Sequence, residues 1–216
     1  MEHAIVFGAS GGIGAALADH LAERYDVTRL SRRHDGLDVT DETSVAYLVG
    51  RLDRPVEIVF VATGLLAPEG HTPEKSLDAV EAAAMAQTFA VNAIGPALIL
   101  RHIAPKLSET ARVGVLTARV GSIGDNRMGG WYSYRAAKAA ANQIVHGAAI
   151  EIGRKRKRAV VVALHPGTVD TPFTEGYAAS KVAAPEAAAN LVRVLTALTP
   201  EQTGGFFDYA GRPVEW

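Results

Sequence analysis

A tyrosine and a lysine stand four residues apart in the alanine-rich stretch from Trp131 to Ile152, which is predicted to be helical. At that spacing Tyr134 and Lys138 lie on one face of a helix. A nearby ammonium group favours the phenolate and is expected to lower the tyrosine pKa toward neutrality. Such a tyrosine can give a proton to a carbonyl oxygen while hydride arrives at the carbon, and can take it back in reverse. Tyr132 is an alternative phenol without a lysine at that offset, and a core tyrosine beside a solvated lysine is the structural alternative.

A glycine-rich turn joins a predicted strand, Ala4–Phe7, to a predicted helix with one apolar face. Gly8 would let the chain turn off the strand, Gly12 would let the backbone approach a pyrophosphate, and Gly14 would let the helix pack closely on the sheet. N–H groups in the first turn of the helix would then face the phosphates. A glycine-rich turn without a ligand is the alternative. The expected cofactor-binding residues of this turn are Gly8, Ser10, Gly11, Gly12, Ile13 and Gly14.

Strands alternate with helices along the whole chain, which predicts an α/β domain whose parallel sheet is covered on both faces. Seven strands are expected, at Ala4–Phe7, Val27–Ser31, Leu37–Val39, Val56–Val61, Val113–Thr117, Ala159–Leu164 and Gly205–Asp208. After the second strand, the expected crossover helix is shortened to a loop. Later helices are expected at about Thr40–Arg51, Met85–Ile103, Trp131–Ile152 and Pro185–Leu198. Ligands of such sheets bind beyond the carboxyl ends of the strands, so the site is expected there.

Composition narrows the classes of function. The 216 residues suit one domain over 1–216, and the absence of cysteine excludes disulfides and thiolate catalysis. No metal is expected, since no His, Asp and Glu residues have metal-ligand spacing. The formal net charge of −1 provides no global attraction to nucleic acid or to an acidic membrane. Apolar runs fall short of the ~20 residues of a membrane span, and no signal segment is evident, so a cytoplasmic location is expected.

The basic run Arg154–Arg158 follows the helix that carries Tyr134. Cations at a helix C-terminus complement its dipole, so a solvated helix end is favoured over nucleic-acid binding.

The motifs together resemble the short-chain dehydrogenases/reductases, and the resemblance covers essentially all of the chain. The matching motifs are Gly8-xxx-Gly12-x-Gly14, Asp38-Val39, Asn92, Tyr134-xxx-Lys138 and Pro166-Gly167-Thr168-Val169-Asp170-Thr171. The segments Arg119–Asn126, Gly130–Arg135 and Leu198–Asp208 are similar to the branch that contains C-factor-like and sniffer-like carbonyl reductases. The implied fold is a doubly wound Rossmann fold.

The resemblance implies a role for each motif. Tyr134 would be the acid/base, Lys138 would hold the ribose hydroxyls, and Asn92 would support a water relay toward Lys138. A helix kink before Gly95-Pro96 is the alternative for Asn92. Cofactor contacts are implied for Asp38, Val39, Ala62, Thr63, Gly64, Tyr134, Lys138, Pro166, Gly167, Val169 and Thr171.

Two departures from the family pattern concern polar side chains at strand ends. The family's Asn-Asn-Ala-Gly motif is Val61-Ala62-Thr63-Gly64 here, so the usual asparagine contacts are missing. The family's serine pair after the fifth strand is Thr117-Ala118. Ser122 in the following loop is preferred as the source of the catalytic hydroxyl, with Thr117 as the alternative; a turn residue between glycines is the structural interpretation of Ser122.

The end of the second strand bears on cofactor choice. Dinucleotide folds that select NAD place a carboxylate here, which would repel a 2′-phosphate. In this chain Ser31 occupies that place, and Arg32 and Arg33 follow it. A guanidinium can bind a phosphate through two N–H groups, so NADP(H) is expected over NAD(H). Asp35 is the only nearby acid and could turn toward the same place.

The sequence therefore predicts an NADP(H)-dependent oxidoreductase acting on a small carbonyl or alcohol substrate. An NADP(H)-binding sensor with weak catalysis is the alternative, which Thr63 and Ala118 favour and the intact Tyr134, Lys138 and Asn92 oppose. A homodimer or higher homo-oligomer is expected from the family and from the small side chains of the two alanine-rich helices. The loops Ala67–Pro73 and Pro172–Lys181 are expected to form the walls of the substrate site.

Overall fold

The computed structural model describes residues 1–176 and 180–216, and a six-stranded sheet with the order β2-β1-β3-β4-β5-β6 forms the centre of the protein. Every pair of neighbouring strands is parallel. The strands are β1 (His3–Phe7), β2 (Asp26–Leu30), β3 (Val56–Val61), β4 (Leu107–Leu116), β5 (Val160–His165) and β6 (Phe206–Asp208).

Helices cover both faces of the sheet, as in a doubly wound fold. They are α1 (Gly12–Leu21), α2 (Arg32–Asp35), α3 (Glu42–Gly50), α4 (Ala82–Phe89), α5 (Gly95–Ile103), α6 (Tyr132–Lys155) and α7 (Ala184–Ala197). One core cluster joins the sheet to buried side chains of α3, α5 and α6, and the other joins it to α1 and α7. These two apolar layers confirm the predicted α/β architecture.

The prediction of a strand at Leu37–Val39, and with it of a seven-stranded sheet, is wrong, because this segment forms no strand. Its apolar–polar alternation is real: Leu37 and Val39 are buried and Asp38 is exposed. Its backbone bonds are local, however. Leu37 N–H donates to Ser31 O at 3.1 Å, and Asp38 N–H donates to Ser44 Oγ at 3.0 Å. The segment therefore satisfies its backbone without joining the sheet.

The loop expected after the second strand contains one helical turn, α2, which corrects that prediction. Ser31 is the N-cap, and its Oγ accepts from His34 N–H at 3.2 Å. The Asp35 carboxylate accepts from the Ser31 N–H at 2.9 Å and from the Ser31 hydroxyl at 3.2 Å. Gly36 ends the turn in the left-handed conformation, at φ 70°. These capping bonds stabilise the four-residue turn, and α3 is the longer helix in the crossover from β2 to β3.

One helical run in the described part of the chain has the length and composition of a membrane span. Ala82–Lys106 is 25 residues long and contains an 18-residue window with a mean hydropathy of 1.5. The expectation from continuous apolar runs did not anticipate this candidate. Of the window, 44% is buried inside the protein, and α5 contacts both α3 and α6.

Candidate active site

Tyr134 and Lys138 lie on the buried face of α6, at the end of the helix nearest the carboxyl edge of the sheet. The side chain of Lys138 is buried, its Nζ donates to Leu116 O at 3.1 Å, and the same Nζ lies 5.7 Å from the centre of the Tyr134 ring. Burial lowers the pKa of Lys138 to about 8, because a charged amine loses its hydration there. The Tyr134 ring also contacts the rings of Trp131 and Phe173. The structure thus brings the two predicted residues together.

Asn92 occupies a π-helical turn, Ala90–Ile94, between α4 and α5. Its Oδ1 accepts from Leu65 N–H at 3.1 Å, and its Nδ2 donates to Leu65 O at 2.6 Å and to Thr88 O at 3.0 Å. Gly64 lies between Asn92 and Lys138: a Cβ at Gly64 would be 3.4 Å from Asn92 Oδ1 and 3.8 Å from Lys138 Nζ. Asn92 therefore holds the end of β3 beside the lysine. The predicted kink is a π turn, a feature that is frequent at functional sites.

The glycine-rich turn is closely packed at each of its three spaced glycines. Gly8 has a φ of 86°, and a Cβ at Gly14 would lie 2.1 Å from Gly8 O. A Cβ at Gly12 would lie 2.5 Å from Cγ2 of Thr171, which belongs to the loop after β5. Gly14 therefore lets α1 lie close against the turn directly after β1, and Gly12 lets the turn approach Thr171 closely.

A cavity of about 670 Å³ opens between this turn and α6. Four buried polar atoms of its lining residues have no hydrogen-bond partner: Thr63 Oγ1, Thr117 Oγ1, Arg135 Nε and His165 Nδ1. Unpaired buried polar atoms are costly, so they point to a ligand that supplies partners. The predicted residues that line this cavity are Ser10, Gly11, Gly12, Ile13, Gly14, Ala62, Thr63, Gly64, Tyr134, Lys138, Pro166, Gly167, Val169 and Thr171.

The structure separates the two candidate hydroxyls. Thr117 lines the cavity, immediately after β4. Ser122 is buried outside the cavity lining, and its Oγ accepts from Asp125 N–H at 3.0 Å, so it closes a turn. Ala118 also lines the cavity, where the family pattern has a serine.

The residues expected at the adenosine end lie away from the cavity lining. Ser31 is buried and bonded to Asp35, while Arg32 and Arg33 are exposed. Asp38 accepts from Thr40 N–H and Oγ1, and Thr40 is the first cause of its lowered pKa. Val39 is a core residue: a Cβ at Gly95 would lie 2.9 Å from its Cγ2.

Glu74 is a residue of the site that no sequence pattern indicates. It is buried, and its carboxylate accepts from both the N–H and the hydroxyl of Ser133, the neighbour of Tyr134. Its carbonyl also accepts from Trp131 N–H at 2.5 Å. Burial by itself would raise the pKa of Glu74, but the hydrogen bonds from Ser133 and the backbone lower it. A carboxylate therefore stabilises the start of α6, where no side chain of the N-cap residue does so. No sequence signal links position 74 to position 133.

The predicted walls of the substrate site are divided between two cavities. Ala67–Pro73 surrounds a separate cavity of about 220 Å³, with Glu74 and Ser133 in its lining, which corrects that expectation. Pro172, Phe173 and Thr174 line the large cavity, as expected for the second loop. Residues 177–179 of that loop lie outside the described residues.

His165, the last residue of β5, lines the large cavity. Burial lowers its pKa to about 4, so its imidazole is neutral near pH 7. Within residues 1–176 and 180–216, no group of three His, Asp or Glu side chains is arranged to hold a metal ion.

The residues present fit a nicotinamide dinucleotide. The glycine turn presents backbone N–H groups at the start of α1, where pyrophosphates bind in this fold class. Lys138 lines the same cavity as that turn and Tyr134, and it would hold the ribose hydroxyls, as the family resemblance implies. The unpaired Thr63, Thr117 and His165 atoms surround the remaining space.

Comparison with known proteins agrees with this geometry. A family model described as enoyl-(acyl carrier protein) reductase matches residues 13–206. A 1-hydroxy-2-glutathionyl-2-methyl-3-butene dehydrogenase from Rhodococcus sp. (strain AD45) is 31% identical over 100% of both chains. The C-signal protein of Myxococcus xanthus is 38% identical over 65% of this chain and 84% of its own length.

Solved structures share the fold over the whole chain. A putative short-chain dehydrogenase/reductase from Burkholderia multivorans with bound NADP has a TM-score of 0.84 and 25% identity, and covers 100% of this chain and 99% of its own. The carbonyl reductase Sniffer of D. melanogaster has a TM-score of 0.83 at 22% identity and covers 100% of both chains. From its motifs, its fold and these relatives together, the chain belongs to the short-chain dehydrogenase/reductase family.

Proposed function

We propose that this protein is an NADP(H)-dependent oxidoreductase that interconverts a carbonyl compound and an alcohol, with Tyr134 as the acid/base. The observation that carries the proposal is the placement of Tyr134 and Lys138 in one cavity with the glycine-rich turn. A bound nicotinamide would supply or accept the hydride. The protein would bind the substrate, exclude water and move the proton.

Lys138 supports proton transfer through its charge. Its pKa of about 8 leaves it protonated below that pH, and its Nζ lies 5.7 Å from the tyrosine ring centre. A cation at that distance in a buried site stabilises a phenolate. Tyr134 therefore gives its proton to the carbonyl oxygen in reduction and accepts a proton from the alcohol in oxidation.

Thr117 is the better candidate for the hydroxyl that orients the carbonyl. Its Oγ1 is buried in the cavity wall without a partner, whereas Ser122 Oγ is engaged with Asp125 N–H. A substrate oxygen would give Thr117 the hydrogen bond that it lacks. Ser122, which the sequence favours, is then a positioning residue for the β4–α6 loop.

Asn92 acts through its neighbours rather than by direct contact. All three of its observed hydrogen bonds are made to the chain, two of them to Leu65. This arrangement supports a role in keeping Gly64 beside Lys138, along the route on which a water relay would reach the amine.

NADP(H) is favoured over NAD(H) because two exposed arginines follow β2. Arg32 and Arg33 are free to bind a 2′-phosphate, and the similar Burkholderia protein has NADP bound. Ser31 contributes less than the sequence suggests, because its hydroxyl bonds to Asp35. The Asp35 carboxylate is in turn occupied by Ser31, so it does not replace the acid that selects NAD.

A sensor that binds NADP(H) with little turnover is the second candidate, because Ala118 lines the cavity in place of the family's serine. The test is oxidation of NADPH by the purified protein with aldehydes, quinones and diketones. Turnover of any of them supports the oxidoreductase. Tight NADPH binding without turnover across the panel supports the sensor. RNA retained at moderate salt without cofactor binding would support the nucleic-acid alternative.

We also propose a cytoplasmic homo-oligomer. Ile94 and Ile150 are about half exposed, at 51% and 49%, on the two alanine-rich helical regions that are predicted to form subunit contacts. Light scattering that gives a mass near 22.8 kDa would contradict the oligomer.

A further inference from the structure

The large cavity has an unusual charge balance for this chain. Four cationic side chains of the described part line it, and Asp125 is the only carboxylate among those lining residues. The chain as a whole has a formal net charge of −1, so the composition does not account for this excess. Lys138 belongs to the proton-transfer pair, and the other three cations are Arg119, Arg127 and Arg135.

These arginines belong to the Tyr134 side of the cavity. Arg119 and Arg127 are in the β4–α6 segment, and Arg135 is the residue after Tyr134 on α6. The glycine-rich turn, where cofactor phosphates are expected, is a different element on the other side. The positive charge is therefore available to the substrate rather than to the pyrophosphate.

Each guanidinium uses only some of its N–H donors in hydrogen bonds to the chain. Arg119 Nε bonds to Asp125 Oδ2 at 2.5 Å, Arg127 NH1 to Gly124 O at 2.8 Å, and Arg135 NH1 to Val120 O at 3.2 Å. Nε of Arg135 is buried without an acceptor. Because a guanidinium has five N–H donors, each side chain is oriented and keeps donors for another acceptor.

From this arrangement we propose that the substrate is an anion, with a carboxylate or similar oxyanion that Arg119, Arg127 and Arg135 bind. The inference rests on the proposed oxidoreductase function and adds the chemical class of its substrate. Tyr134 is buried while Arg119 and Arg127 are exposed, so the reacting carbonyl points inward and the charged end lies at the mouth. A cleft of one charge also raises the local concentration of an oppositely charged substrate.

The test compares matched aldehydes: 4-carboxybenzaldehyde, 4-formylphenyl phosphate and the neutral methyl 4-formylbenzoate. The wild type is expected to prefer at least one anion over the ester by about tenfold in kcat/KM, mainly through KM, because charge-assisted hydrogen bonds are of that strength. The larger of the two preferences identifies the oxyanion. Equal kcat/KM for all three aldehydes would overturn the proposal.

Two single variants should move this preference in opposite directions. Arg127→Gln removes a cation and should lower it, whereas Asp125→Asn frees Arg119 and should raise it. Damage to the loop would move both the same way, and that result would also overturn the proposal. Arg154→Gln removes an exposed charge beyond the cavity and should leave the preference unchanged.

Binding measurements keep the proposal separate from the proposed function. The protein has two tryptophans, and Trp131 lines the cavity. In a Trp216→Phe background, quenching of Trp131 fluorescence gives Kd for each aldehyde with NADP⁺ present. If no aldehyde is reduced but the anion binds about tenfold tighter than the ester, the oxidoreductase proposal fails and the anion site stands. Equal Kd values for the anions and the ester would contradict the proposed anion site whether or not turnover occurs.

Discussion

The two sides of the large cavity are built in different ways. The glycine-rich side is a single local turn, in which a backbone carbonyl and the loop after β5 leave no room for added atoms at Gly14 and Gly12. The side containing Tyr134 is assembled from distant elements: Thr117 follows β4, and α6 contributes Tyr134 and Lys138. Glu74, in the loop before α4, lies outside this cavity and supports α6 through Ser133. Adding an atom should therefore impair the glycine-rich side, whereas removing a polar atom should impair the side containing Tyr134.

The largest effect is expected from removing one oxygen on the assembled side. Tyr134→Phe keeps the ring but deletes the proposed proton donor, so kcat should fall by about 10²-fold or more. NADPH affinity, measured by fluorescence titration, should persist. The matched control is Tyr132→Phe on the same helix turn. Near-normal activity in Tyr134→Phe, with a loss in the control, would transfer the role to Tyr132.

Adding one methyl group to the local turn should have the next largest effect. In Gly14→Ala the new Cβ would lie 2.1 Å from Gly8 O, so the turn must shift. We expect NADPH Kd to rise about tenfold or more and the free energy of unfolding to drop by about 1–3 kcal/mol. Gly147→Ala on α6 is the control: a Cβ there meets nothing within 4 Å, and stability should rise by about 0.5–1 kcal/mol. Unchanged NADPH affinity in Gly14→Ala would show that the turn does not hold the cofactor.

The preference for NADPH over NADH tests the role of the arginines that follow β2. Arg32→Ala should lower kcat/KM for NADPH by about tenfold through KM and leave NADH unchanged, since a charge-assisted hydrogen bond to phosphate is lost. Arg24→Ala, also an exposed arginine, serves as the control. A wild type that prefers NADH, or an undiminished NADPH preference in Arg32→Ala, would contradict this assignment.

Loss of the Thr117 hydroxyl should affect activity, whereas loss of the Ser122 hydroxyl should affect stability. Thr117→Val should lower kcat/KM by about fivefold, the value of one neutral hydrogen bond, with little change in stability because Oγ1 has no partner in the protein. Ser122→Ala should mainly lower the melting temperature, because Asp125 N–H loses its acceptor. The opposite pattern would restore Ser122 as the residue that orients the substrate.

The smallest effect is expected at the contact that supports α6 from a distance. Glu74→Gln keeps the shape but weakens the hydrogen bonds to Ser133, so kcat should fall by about twofold to threefold while KM changes little. The same variant should lose stability at pH 7 but less at low pH. The folded-state pKa of Glu74 is lowered, so its contribution is present above its ordinary pKa and lost as the carboxylate is protonated. Denaturant melts at the two pH values measure this difference.

Local patterns in the sequence were sufficient to predict much of the site. Glycine spacing after an apolar strand identified the turn before α1, and helical spacing placed Tyr134 and Lys138 on one face. These predictions succeed because the bonds that shape a turn or a helix join residues close in the chain. The helix expected at about Thr40–Arg51 likewise forms as α3, and its N-cap Asp41 accepts from Thr43 N–H, two residues along the chain.

Tertiary structure alone decided the remaining features. Leu37–Val39 alternates like a strand, yet it does not pair with the sheet, and its two apolar side chains are buried in the core cluster that includes α3 and α5. The π turn at Asn92, whose side chain bonds to Leu65, and the contact of Glu74 with Ser133 depend on partners far along the chain. Periodicity specifies which face of an element is apolar, but the partner of a backbone or polar group is settled only when distant segments pack together.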